Sequence, residues 1–233
     1  MSAVPKETSA DQRLLLRRTM RGVWPQLPLL LLGSVVLCLA AVVVALVAPG
    51  ATPVSVLLLA VLVAPPAVAL GAVTNSVLRY DDASFAVWRR GWRVGIRRGI
   101  ACAIPQAVAG ALFVVAIEVW RRTGQPALLV SVAVCGAVTL ALIPFTAAMV
   151  QVLTVLPELT LRDQWRVAAG WVVRWPVRFL AAPILLLLGV WLATQLSVSL
   201  LLLVPAPVAF VSAAALWTSA VESGRCLMER DPA

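Results

Sequence analysis

Asp81 and Asp82 form the only acidic doublet in the chain, and Glu118, followed by Arg121 and Arg122, is the one carboxylate set in a mid-sequence apolar stretch. A doublet at a helix start caps it, because the helix dipole favours negative charge there. A Glu three and four residues ahead of Arg makes a helical ion pair. Neither arrangement is a catalytic pair. Histidine is absent, which removes the commonest general base and the commonest metal ligand. The cysteines, Cys38, Cys102, Cys135 and Cys226, show no C-x-x-C spacing, so neither a metal site nor a disulfide is expected. The chain reads as a non-enzyme without metal or cofactor. The remaining chemistry is neutral: Asn75, Gln106 and Gln151 lie in apolar runs that also contain Pro65, Pro66, Pro105, Pro144 and Pro183. Prolines free carbonyls, and interrupted helices often border a substrate site within a membrane. Asn75, Gln106 and Gln151 are therefore the candidate substrate-lining residues. Neutral groups with Trp nearby suit a sugar better than an ion.

The elements that hold these residues follow from composition. Of 233 residues, 62% are apolar and 12% charged, against about 45–50% and about 25% in soluble domains. A soluble globular protein is excluded, and no soluble catalytic domain fits beside the apolar runs. The expected fold is all-α, a polytopic integral membrane protein with six transmembrane helices at about 24–48, 54–78, 100–120, 127–153, 180–198 and 204–221. They form a membrane domain over 23–222, between a basic segment at 1–22 and a tail at 223–233. The run from Val23 to Val47 is too long for the apolar part of a cleaved signal peptide. If the runs cross alternately, 17 of the 19 basic residues fall on one side and only Arg121 and Arg122 on the other. By the positive-inside rule the 17 face the cytoplasm, which places both termini there, in a bacterial plasma membrane. The net charge of +9 thus reports topology, and no nucleic-acid partner is expected.

Two linkers on the basic side are amphipathic. At 100° per residue Phe85, Trp88, Trp92 and Ile96 share one arc, with Arg89, Arg90, Arg93 and Arg97 on the next. In the second linker Leu161, Trp165, Ala168, Trp171, Val172 and Trp175 oppose Arg162, Asp163, Arg166 and Arg174. Indole rings favour the headgroup region, so both linkers are expected to be interfacial helices flat on the inner leaflet, in contact with the bilayer. Gly91, Gly95 and Gly99 follow a small-xxx-small pitch that lets another helix approach closely. These three glycines, the linker aromatics and Arg89, Arg93 and Arg97 are the candidate partner or membrane interface. Pro66 and Pro144 precede Trp88 and Trp165 by matching offsets, as do Asn75 and Gln151, which suggests a parallel tandem repeat of span, interfacial helix and span.

The order of these parts, with Asp81-Asp82-x-x-Phe85-x-x-Trp88 after the second span and a Trp-rich counterpart after the fourth, resembles the YesL-like family of bacterial membrane proteins of unknown function. The resemblance implies a six-span protein associated with oligosaccharide uptake, with ABC transporter subunits as partners, and brings no catalytic residues. The functional expectation is an accessory or membrane subunit of a solute uptake system, carbohydrate by preference. The alternative is a scaffold or regulator that binds lipid and other membrane proteins without transporting.

Overall fold

Leucine, valine and alanine in runs of 20 or more residues bring no water-seeking side chains, so in lipid the backbone must satisfy its own hydrogen bonds, as a helix does. The computed structural model describes residues 6–80 and 82–223, and these form eight α-helices with no strand among them. They are α1 (Lys6–Val47), α2 (Pro53–Tyr80), α3 (Phe85–Val94), α4 (Ile100–Thr123), α5 (Leu128–Val155), α6 (Leu161–Arg174), α7 (Pro176–Gln195) and α8 (Pro205–Glu222). Six helical segments are long and apolar enough to cross a membrane, the architecture of a multi-pass membrane protein. Their outward faces are hydrocarbon: Leu46, Leu140 and Leu187 are 77%, 67% and 70% exposed.

Element ends follow local chemistry. Gly124, with φ +65°, closes α4 by donating its N–H to the Trp120 carbonyl, a left-handed cap that glycine adopts without strain. Trp175 leaves helical geometry immediately before Pro176, the first residue of α7. Proline disfavours helical geometry in the residue before it, so α6 and α7 are separate helices. No proline stands at the corresponding point of the first linker. There α3 runs into α4 through a π turn, Gly95–Gly99, giving one helical run from Phe85 to Thr123. The basic segment at the start is likewise continuous with the first span in α1. The fifth span begins and ends earlier than expected, at 176–195, and a 3₁₀ turn, Val198–Leu202, leads into α8.

Asp82, expected to help cap α3, does something else. Ser84 is the residue at the start of α3 and makes no side-chain cap. Asp82 instead accepts a 2.7 Å hydrogen bond from Gln26 Nε2 on α1, and its carbonyl accepts one from Ser76 Oγ. Asp81 lies outside the described residues. Glu118 pairs with Arg122 at 2.7 Å, the i,i+4 contact that the spacing predicts.

The protein core has two parts. One joins α2 and α5–α8 around Leu78, Met149, Leu153, Trp171, Phe179 and Leu216; the other joins α1 and α2 around Leu30, Leu70, Val73 and Val77. α8 touches α1, α2, α5 and α7.

Candidate functional site

Asparagine is a weak helix former because its side chain competes for backbone groups. In α2 that competition is used: Asn75 Nδ2 donates back to the Gly71 carbonyl at 2.9 Å, and Thr74 Oγ1 donates to the same oxygen at 3.0 Å. Gly71 also brings α5 close, since a Cβ there would stand 3.4 Å from Gln151 Oε1 and from Val150. Across that gap Asn75 Nδ2 reaches Gln151 Oε1 at 2.7 Å and Thr154 Oγ1 at 2.8 Å. Trp217 Nε1, on α8, donates to Asn75 Oδ1 at 2.8 Å. Gln151 Nε2 makes a longer contact, 3.5 Å, to the Ala209 carbonyl. One buried carboxamide therefore ties three helices together, and both ends of the Asn75 amide are occupied.

A cavity of about 330 Å³ lies beside this cluster, between α1, α2, α5, α7 and α8. Val63, Ala147, Leu186 and Val208 are typical of its wall, and Gln151 and Ser212 are its polar members. Ser212 Oγ is already directed to the Ala147 carbonyl at 3.4 Å. Of the three candidate lining residues, Gln151 lines the cavity and Asn75 stands one hydrogen bond behind it. Gln106 is elsewhere: on α4, it donates to the Thr139 carbonyl of α5 at 3.2 Å.

The glycine stripe of α3 is occupied from within the chain. A Cβ on Gly91 would come within 2.9 Å of Ala69 Cα, on Gly95 within 2.6 Å of Pro65 Cα, and on Gly99 within 2.9 Å of Val68 Cγ2. All three contacts fall on one stretch of α2, residues 64–72. The helix that these glycines admit is the chain's own α2, not a partner's, and α3 stands beside α2 rather than apart from the bundle.

Several linker aromatics pack against the bundle. Phe85, Trp88 and Trp92 stack in series, with ring centroids 5.4 and 5.0 Å apart. Trp88 packs against the α1–α2 core near Gly33, its indole N–H buried without a partner among the described residues. In α6 Trp171 is 6% exposed, and Trp165 and Trp175 pack against the same core. Trp88, Trp165, Trp171 and Trp175 are thus held at least in part by protein, whereas Phe85 is 58% exposed; an amphipathic face is satisfied by a helix bundle as well as by headgroups. Arg89, Arg90, Arg93 and Arg97 remain exposed, and Arg98 donates to the Pro157 carbonyl at 2.7 Å, linking the two linkers.

Sequence reasoning missed several partners. Thr160 caps α6, its Oγ1 accepting from the Asp163 N–H at 3.3 Å, and the Thr-x-x-Asp spacing was the available signal. Gln164 is fully buried and donates to the Leu156 carbonyl at 2.8 Å. Trp217 and Thr154 complete the Asn75 cluster, and no spacing in the sequence joins α8 to α2. No family model, curated protein or solved structure matches this chain.

Proposed function

We propose that this protein is an accessory subunit of the bacterial plasma membrane that holds partners and lipid, and is not itself the path of a solute. One observation carries the reading: the polar side chains among the spans bond to one another around Asn75, and the cavity beside them offers hydrocarbon. A sugar needs several free donors and acceptors, and leaving buried partners unpaired costs about 1–3 kcal/mol each. The carbohydrate-lining role of Asn75, Gln106 and Gln151 is thus less well supported than their role in joining helices. The exposed arginines of α3 and the Arg98 link to the second linker favour a partner on the cytoplasmic side. Both termini on that side, and α3 and α6 at the inner boundary, belong to the same proposal. So does the tandem repeat, supported by the recurring order of 28-residue span, short helix and span in α2–α4 and α5–α7. The resemblance to the YesL-like family supplies the setting, an uptake assembly with an ATP-hydrolysing subunit.

Reconstitution tests it. Purified protein in proteoliposomes should accumulate no labelled oligosaccharide, while mild-detergent purification from its host should recover transport subunits. The Arg89→Gln, Arg93→Gln, Arg97→Gln triple variant should lose them. Sugar accumulation by the protein alone would overturn the proposal.

A further inference from the structure

Glycine inside a helix costs about 1 kcal/mol relative to alanine, and most helical glycines here have a neighbour that requires the missing side chain. A Cβ on Gly33, Gly91, Gly95, Gly99, Gly136 or Gly189 would come within 3.0 Å of another atom. Gly170, in the interior of α6, is different, because a Cβ there would meet nothing within 4 Å among the described residues. Packing among the described residues gives no reason for it. Its bare backbone forms part of the wall of a groove of about 390 Å³, shared with Arg166, Trp171, Arg174 and Trp175 of the α6 region and Ser223 just beyond α8.

That groove is cationic and aromatic. The Arg174 guanidinium lies over the Trp175 ring, 4.8 Å from its centroid, and Arg178 approaches the same ring at 5.7 Å. Arg178 Nη2 pairs with Glu222 at 2.6 Å, while its Nη1 is buried without a partner among the described residues. Arg166 has a 3.5 Å contact with Asp163, and Arg174 has no ion pair among the described residues. The groove also sits at a boundary, where the fifth apolar span begins at Pro176 and the sixth ends at Glu222.

We propose that this groove binds the phosphate of an anionic phospholipid headgroup. Guanidinium groups present forked donors that match phosphate oxygens, and the volume lies in the range of about 300–1,000 Å³ usual for small-ligand sites. Gly170 leaves the space that a side chain would fill, and the indoles of Trp171 and Trp175 flank it. The assignment rests on the membrane reading of the spans but not on the accessory role, since it needs no protein partner.

The test is native mass spectrometry of the full chain in detergent, titrated with phosphatidylglycerol or phosphatidylcholine. Phosphatidylglycerol should be retained preferentially. Arg174→Gln should weaken its retention about fivefold, equivalent to about 1 kcal/mol for one basic residue at an anionic headgroup. Gly170→Leu, which has room to fold, should weaken it by blocking the groove, with helix content unchanged by circular dichroism. Arg121→Gln, on the opposite side, should leave it unaltered. Equal retention of the two lipids, undiminished binding in Gly170→Leu, or an equal loss in Arg121→Gln would overturn the assignment. Displacement by millimolar inorganic phosphate would identify a soluble phosphate compound instead, and retention that appears only after residues 224–233 are removed would assign the groove to the chain's own terminus.

Discussion

Asn75 has two amide hydrogens for three acceptors, and a single oxygen that receives the Trp217 indole. Replacing it by leucine would leave Trp217, Gln151 and Thr154 facing a dry interior. Polar contacts between membrane helices average about 0.6 kcal/mol and reach about 1.7, so Asn75→Leu should destabilise the protein by about 2 kcal/mol. Thermal unfolding in detergent measures this, and an unchanged midpoint would contradict the clasp. Trp217→Phe removes one donor and should cost about 1 kcal/mol, with much of that loss absent when Asn75 is already leucine. Gln106→Leu should cost less than either, since one 3.2 Å bond is lost and its Oε1 is already without a partner. That Asn75 and Gln151 matter was legible from polar residues recurring at matched positions in apolar runs. That they face each other was not, because helical periodicity gives the angle around one helix and says nothing about which neighbour stands there.

Gly95 and Gly170 are both glycines within helical stretches, yet alanine should act in opposite directions at the two. At Gly95 the new methyl would stand 2.6 Å from the backbone of Pro65, and overpacking of this kind costs about 1–3 kcal/mol. At Gly170 the methyl enters open space, and the helix gains up to about 1 kcal/mol. Opposite shifts in thermal midpoint are the expected result; shifts of the same sign would refute the packing of α3 on α2. The small-residue pitch was visible in the sequence, and the partner helix was not. Pro176 is a signal for the break between α6 and α7 that went unread, since the fifth span was expected only from 180. The continuous run of α3 into α4 was hidden, because Gly91, Gly95 and Gly99 read as weak helix and only close contact with α2 offsets their cost.

Six apolar runs and a one-sided distribution of arginine made the architecture readable, since hydrocarbon thickness sets span length directly. At 1.5 Å per residue the 20 residues of α7 reach about 30 Å, one hydrocarbon core, whereas the 28 of α2 and α5 reach about 42 Å and extend past it. Reporter fusions after Gly50 and Gly124 should share one sidedness, and fusions after Ser84 and Thr160 the other. Any other pattern would remove the orientation. The interior was harder to read, because lipid-facing and protein-facing leucines look alike in composition. α8 shows this: it is the last helix of the described chain, and it packs on α1, α2, α5 and α7. Spans emerge from the ribosome in chain order, and N-terminal parts assemble first. The keystone is thus manufactured after the arch, and the Asn75 carboxamide must wait in the bilayer for an indole not yet translated. A ribosome stalled before residue 205 would leave the Asn75 oxygen and the α1, α2, α5 and α7 surfaces that α8 covers without their partner.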